Sequence, residues 1–266
     1  MALVQDFNLH THTIFSDGKN TAEEMVQEAI RLGMRRLGFS DHSPTVYSSG
    51  CDMTMSTVRE YFNELHRLQE KYAGQLEILI GIERDFYAPP EMDFTPFDYV
   101  LESVHRLYKD GVYSSIDNEK TRFKHLVDDF YGGDSYAMCR DYFADICEVA
   151  QHHHGHLLGH FDLVTKFNEV QPMFDPEDKR FMEPALEAMR CAVDAGMILE
   201  VNTGAISRGY RTTPYPSLTL MKALKDMGGK VFLSSDCHSS AHILFAFDQA
   251  KALCDAAGLE LVDPLG

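Results

Sequence analysis

Short apolar runs alternate with longer segments of helical periodicity along this chain. Runs at Asp6–Thr11, Arg36–Ser40, Glu77–Glu83, Tyr99–Val104, His156–Gly159, Met197–Asn202 and Lys230–Ser235 read as strands. Helical stretches fall between most of them. Thr21 has Glu24 three residues on, the capping-box spacing, and opens a helix that runs to Leu32 and stops at Gly33. Further helices are expected at Ser56–Tyr72, Tyr136–Gln151, Glu177–Ala195, Ser217–Met227 and Ala241–Ala257, the last three ended by Gly196, Gly228 and Gly258. Strands alternating with helices predict an α/β fold with parallel pairing. About seven such βα units predict a closed or nearly closed barrel. The connection from Glu83 to Tyr99 carries Pro89, Pro90 and Pro96 and no helical pattern, so the barrel should be irregular there. No linker or internal repeat divides the chain, and residues 1–266 are expected to form one domain.

In parallel α/β barrels, functional groups gather where strands end and loops begin. The expected strands end, in order, on His10-Thr11-His12, Asp41-His42, Glu83, His105, His160 with Asp162, Asn202, and Asp236-Cys237-His238. Imidazole and carboxylate are the usual ligands of zinc, manganese and iron. One such strand end means little, but nearly every one facing the same rim points to a metal centre, since buried polar groups need partners. His10 and His12 stand two apart, which puts both rings on one face of a strand. Asp236 and His238 repeat that spacing at the far end of the chain, and closure of a barrel would bring the two pairs together; Asp236 alone could equally cap a helix. Glu83 follows the apolar run Ile78-Leu79-Ile80-Gly81-Ile82, where a carboxylate needs either a bridging role between cations or a salt bridge. Asp17, in Phe15-Ser16-Asp17-Gly18, reads as a ligand or as an Asx turn. The tract His152, His153, His154 and His156 lies at a helix end and reads as capping or solvated residues, and His66 and His125 read as helix-surface residues.

Charge narrows the partners. A formal net charge of −17 speaks against a nucleic-acid or acidic-membrane surface but leaves room for a small phosphorylated substrate held by metals and one or two arginines. The loop Thr203–Arg211 supplies two arginines beside Asn202, so Arg208, Arg211 and Asn202 are the candidate substrate-binding residues, Arg208 first because its fork suits phosphate oxygens. Arg84, next to Glu83, should point to the opposite face. The six cysteines form no CxxC and suggest neither a zinc knuckle nor a disulfide framework. No signal peptide or membrane span is read from the sequence, so the expected compartment is the cytoplasm.

The motifs His10-Thr11-His12, Phe39-Ser40-Asp41-His42, Gly81-Ile82-Glu83, Ser103-Val104-His105, Gly159-His160-Phe161-Asp162 and Ser235-Asp236-Cys237-His238 resemble, in order and spacing, those of the polymerase-and-histidinol-phosphatase (PHP) superfamily. The look is nearest to its stand-alone histidinol-phosphatase-like members. The resemblance implies a distorted (β/α)7, TIM-like barrel with two or three divalent ions (Zn, Mn or Fe) at the C-terminal rim of the strands. It implies a first ion on His10, His12, Glu83 and Asp236, a second on Glu83, His105 and His160, and a third on Asp17, His42 and His238. Many relatives have histidine in place of Asp17, and a carboxylate there favours a harder ion.

The reaction so implied is hydrolysis of L-histidinol phosphate, in histidine biosynthesis, by a hydroxide shared between two ions. Asp236 is the first candidate to carry the leaving-group proton, with His238 or His42 assisting. The resemblance also admits another small phosphate ester or a phosphodiester as substrate, or metal binding without catalysis. The oligomeric state is not legible in the sequence.

Overall fold

A computed structural model describes residues 3–266. In chain order the elements are β1 (Phe7–Asn8), α1 (Ala22–Leu32), β2 (Arg36–Phe39), α2 (Met55–Lys71), β3 (Glu77–Asp85), β4 (Tyr99–Ser103), β5 (Arg106–Lys109), β6 (Val112–Ser115) and α3 (Lys120–Tyr131). They continue with α4 (Ser135–His152), β7 (Leu157–Leu158), α5 (Lys179–Asp194), β8 (Ile198–Asn202), α6 (Gly204–Ser207), α7 (Leu218–Asp226), β9 (Lys230–Ser234) and α8 (Phe247–Ala257). Seven strands pair in parallel in the order β1-β2-β3-β4-β7-β8-β9, which is the α/β barrel expected. All seven expected strands are present.

Alternation along the strands divides the barrel interior into two floors. On β3, Ile78, Ile80 and Ile82 face outward and pack with Met25, Tyr61 and Leu65 of α1 and α2. Leu79, Gly81 and Glu83 face inward. Phe7, Leu9, Tyr99, Leu101, Leu157 and Phe232 fill the lower floor as one apolar cluster. Tyr99 crosses this floor and donates its hydroxyl to Leu9 O at 2.6 Å. Its ring lies where a Cβ on Gly81 would be, 2.2 Å from the nearest ring carbon, so only glycine fits there. One inward position further along each strand the floor turns polar, with Glu83, Ser103, Glu200 and Ser234 all buried.

The seam between β1 and β9 is built differently. Among the described residues its backbone contact is the Thr11–Cys237 bridge, with His12 N–H donating to Cys237 O at 3.0 Å. Side-chain amides do the rest. Gln5 Nε2 donates to Leu233 O at 2.8 Å and Gln5 Oε1 accepts from Leu233 N at 2.9 Å, while Asn8 Nδ2 donates to Ser235 Oγ at 2.6 Å.

The capping box at Thr21 and Glu24 is formed in both directions. Three expectations need correction. The segment after β4 carries a hairpin, β5–β6, and α3, none of which the sequence reading assigned; Asp110 and Gly111 form its turn, both with positive φ, as a two-residue hairpin loop requires. The helix expected over Ala241–Ala257 is a short 3₁₀ turn at Ser240–His242, a left-handed Ala246, and then α8. Cys147 and Cys191 form a disulfide joining α4 to α5, which no spacing motif announced. The Glu83–Tyr99 connection contains no helix, as expected; Met92, Phe94 and Phe97 pack it onto the β2–β3 side.

Asp145 on α4 lies under the hairpin side of the barrel. Burial pushes its carboxyl up to about 7; the Tyr87 hydroxyl, 3.3 Å away, opposes the shift, while the neighbouring charges of Glu148 and Asp141 add to it. A raised carboxyl binds its proton more tightly folded than unfolded, so this site costs stability increasingly as pH rises from 4 to 7. Asp145→Asn is expected to raise Tm at pH 8 by about 2–6 °C, from about 1–2 kcal/mol after solvent screening, with the gain shrinking toward pH 4. A thermal melt series that showed the same Tm difference at both ends of this range would refute the assignment.

Candidate metal centre

The upper floor of the barrel gathers nine side chains: His10, His12, Asp17, His42, Glu83, His105, His160, Asp236 and His238. Glu83 stands at their middle. Its Oε1 accepts from Ser103 Oγ at 2.7 Å and faces His160 Nε2 at 2.9 Å and His105 Nε2 at 3.1 Å. Its Oε2 faces His42 Nδ1 at 2.8 Å, His10 Nε2 at 3.4 Å and His12 Nε2 at 3.5 Å. Each carboxylate oxygen thus addresses its own set of imidazoles. Asp236 Oδ1 lies 3.3 Å from His12 Nε2 and 3.7 Å from His10 Nε2. Asp236 holds a left-handed backbone with φ 46°, at the bend where the chain leaves β9. Further out, Asp17 Oδ1 is 3.2 Å from His238 Nε2 and 3.7 Å from His42 Nε2.

Two ring contacts test whether the donor set suits a cation. His10 Nε2 faces His12 Nε2 at 3.1 Å, and His105 Nε2 faces His160 Nε2 at 3.2 Å. His10 donates from Nδ1 to Glu200 Oε2 at 2.9 Å, and His105 from Nδ1 to Asp85 Oδ2 at 3.1 Å, so a neutral ring turns a bare Nε2 toward its neighbour. Nitrogens on the edge of a tetrahedral zinc site stand about 3.3 Å apart, given a bond near 2.0 Å. The arrangement therefore fits divalent metal.

Electrostatics point the same way. Burial disfavours charge on His42, but Glu83 and Asp17 outweigh it and raise its pKa to about 9. His10 and His105 are raised well above the ordinary value against the same opposing burial, by Glu200 with Glu83 and by Glu83 with Asp85. His12 falls to about 3, through burial and the charges of His238 and His42. Burial would lift the Glu83 and Asp236 carboxyls, yet His10 and His105 hold the first, and Arg208 and His10 the second, well below the ordinary range. Without a cation the cluster must keep protons on several packed rings, and metal would displace them.

A cavity of about 250 Å³ opens over the cluster, lined by Tyr47, Asp52, Asp117, Lys166, Arg208 and Tyr210 among others. Arg208 reaches it from just past α6, donating from Nη2 to Asp236 Oδ2 at 2.9 Å, with Nη1 3.0 Å from His238 Nδ1. A Cβ on Gly204 would stand 2.8 Å from Asp236 Oδ2 and 2.9 Å from Arg208 Nη2, so glycine there lets this pair close.

Two of the expected substrate contacts are placed elsewhere. Arg211 is buried and does not line the cavity; it donates to Thr165 Oγ1, to Thr213 O at 3.2 Å and to Pro214 O at 3.3 Å, and pairs with Asp162 at 3.7 Å. Asn202 is also buried, donating to Glu200 Oε1 at 2.6 Å and accepting from Gly204 N at 2.8 Å. Arg84 points away from the cluster, as expected, and donates to Glu102 at 2.7 Å. Asp41 takes the Thr13 and Ser16 backbone N–H groups and shapes the first loop. His154 donates its backbone N–H to Glu102, and the His152–His156 tract contributes to no potential metal group among the described residues.

Sequence reasoning missed Lys166 and Asp117, which line the cavity with Lys166 Nζ donating to Asp117 O at 2.7 Å. It also missed Glu200 and Asp85 behind the histidines. Alternation was the available signal for Glu200, which shares its strand face with Asn202.

A family model described as PHP domain matches residues 8–204. A relative in Schizosaccharomyces pombe named "Probable histidinol-phosphatase" is 27% identical over 94% of this chain and 86% of that one. A Bacillus subtilis protein named histidinol-phosphatase is 25% identical over 94% of this chain and 99% of its own length. A solved structure from Lactococcus lactis, of a histidinol phosphate phosphatase complexed with zinc, L-histidinol and phosphate, superposes with a TM-score of 0.75 at 22% identity, covering 97% of this chain and 95% of that one. Among the described residues no helix is long and apolar enough to cross a membrane. With its motifs, its barrel and a family match over most of its length in agreement, the chain belongs to the PHP domain family.

Proposed function

We propose that the chain, residues 1–266 acting as one domain, is a cytoplasmic metal-dependent phosphomonoesterase that hydrolyses L-histidinol phosphate to L-histidinol and phosphate. The observation that carries this reading is Glu83, whose two oxygens face separate imidazole sets at the floor of a cavity lined by three cationic side chains, Arg106, Lys166 and Arg208. Relatives of matching length named histidinol-phosphatase support the substrate.

His10, His12, Glu83 and Asp236 would hold one ion, Glu83, His105 and His160 a second, and Asp17, His42 and His238 a third. Zinc, manganese and iron all suit these donors, and the Asp17 position favours the harder two. Bound there, divalent ions would polarise the phosphoryl group and supply the nucleophile near neutral pH. Arg208 and Lys166, which line the cavity, would orient the phosphate. Asp236 is a poor proton carrier, because Arg208 and His10 hold it ionised. When the third position holds no ion, His238 and His42, partly open to the cavity, are better placed to pass a proton to the leaving alcohol. Asp52 puts negative charge on the cavity wall, which suits a substrate with an amino group and repels the polyphosphate of a nucleotide, whereas Asp117 is paired with Lys166 at 3.3 Å.

Phosphate release by metal-reconstituted protein tests this against L-histidinol phosphate, nucleotides, sugar phosphates, a phosphodiester and an aryl phosphate. A kcat/KM for histidinol phosphate about a hundredfold above the rest is expected, a selectivity of nearly 3 kcal/mol. Equal, weak turnover of all monoesters would remove the substrate; no turnover with metals bound would remove the activity.

A further inference from the structure

Glu200 lies on β8, fully buried, and belongs to none of the donor groups that face the cavity. Four groups converge on it. His10 Nδ1 donates to Oε2 at 2.9 Å and lies 3.1 Å from Oε1. Ser234 Oγ donates to Oε2 at 2.5 Å. The His160 backbone N–H donates to Oε1 at 2.7 Å, and Asn202 Nδ2 to the same oxygen at 2.6 Å. A carboxylate deep in a barrel is costly unless its lone pairs are taken, and here every partner is a donor. Its connections are specific: it touches one imidazole of the His10–His12 group and the backbone of His160, which faces Glu83 in the other. The outer group of Asp17, His42 and His238 makes no hydrogen bond to it.

We propose that Glu200 is the positioning residue of the two inner metal positions. It holds the His10 proton on Nδ1, so that Nε2 presents its lone pair beside His12, and it fixes the approach of His160 to Glu83 from the same anchor. Ser234 and Asn202 hold the carboxylate still, which gives buried Asn202 its work. A hydrogen-bonded carboxylate behind a ligating imidazole orients the ring and raises its basicity, and loss of such a partner commonly costs 10–100-fold in metal affinity. The His105–Asp85 pair repeats the device on the second position, but Asp85 serves one ring, whereas Glu200 serves both inner groups.

This inference rests on the metal-centre reading above, and the test separates the two. Protein stripped with chelator is titrated with zinc against a competing chromophoric chelator, for wild type, Glu200→Gln, Glu200→Asp and Asp17→Asn. Glu200→Gln is expected to weaken inner zinc binding by about 10–100-fold. The step that Asp17→Asn removes should stay in place, and Glu200→Asp should recover part of the loss. Wild-type protein that binds no zinc overturns the metal-centre reading. Zinc-binding wild type with unchanged affinity in Glu200→Gln, or an equal fall at every step, overturns the role of Glu200 alone. Circular dichroism of the stripped variants reports whether they fold. Should Glu200→Gln fail to fold, long-range ¹H–¹⁵N spectra of zinc-loaded wild type decide the matter. The resonance lost in His10→Gln should show a protonated Nδ1, and an unprotonated Nδ1 there overturns the proposal.

Discussion

Glu83→Ala should lose metal and activity together: two fewer bound ions by elemental analysis, and a fall in kcat of at least about a thousandfold. The carboxylate is 1% exposed and its oxygens serve His105 and His160 on one side and His42, His10 and His12 on the other. Deleting it leaves five imidazoles without the charge that organises them. Glu83→Gln sharpens the test, because it keeps shape and removes charge. An amide nitrogen turned toward either set presents hydrogens where lone pairs are needed. Glu83→Gln should therefore also lose about a hundredfold in activity, with reduced metal content, a loss of nearly 3 kcal/mol. Full activity in either variant would sink the metal-centre reading.

Arg208→Ala should lower kcat/KM for the phosphate substrate by about a hundredfold, mostly through KM, with metal content unchanged. A charge-assisted contact to phosphate accounts for a loss of that size. The structure adds a complication that sequence did not show. Arg208 also donates to Asp236 Oδ2 at 2.9 Å and helps to keep that carboxylate ionised. The two roles separate by readout. Loss of substrate binding raises KM in fully metallated protein, whereas loss of support for Asp236 lowers metal content and leaves KM alone. Arg208→Lys, which keeps charge but not the fork, should recover less than half of the lost binding free energy.

The positions of the strands were legible because each is an apolar run bounded by turn-forming residues, and helix starts were legible where a cap such as Thr21 stood before a periodic stretch. Eight of the nine cluster residues were legible for a geometric reason: strands of one parallel barrel end at one rim, so side chains at successive strand ends are brought near each other, while Asp17, on the loop after β1, lies outside that argument. Other features depend on information that local pattern does not hold. Arg208 and Arg211 stand three apart in one loop, and only the fold says that the second is turned inward onto Thr165 and Asp162. Glu200 and His10 are 190 residues apart, and a single acidic residue in a strand carries no mark of what lies across the barrel. Lys166 sits just past the 3₁₀ turn Leu163–Thr165, where no period places a side chain. The β5–β6 hairpin could have been found, since Asp110-Gly111 between Tyr108 and Tyr113 is a hairpin signal; the apolar alternation around it was too short to stand out.

The seam between β1 and β9 sets when this centre comes into being. Gln5 meets Leu233 across 228 residues of sequence, and the same junction places His10 and His12 against Asp236 and His238. A growing chain therefore lacks Asp236 and His238, proposed for the first and third positions, until its last strand is made, while Glu83, His105 and His160 of the second precede it. No nascent intermediate can present the proposed first or third position in its finished geometry, and a chain cut short before Asp236 retains His10 and His12 with Glu83 but without their second carboxylate. Long-range closure of this kind is slow because loop entropy precedes its reward. Ions that bridge the two ends would then act as a latch on a barrel whose final joint is held by amides rather than by a strand ladder, so that filling of the first position and completion of the fold become one event.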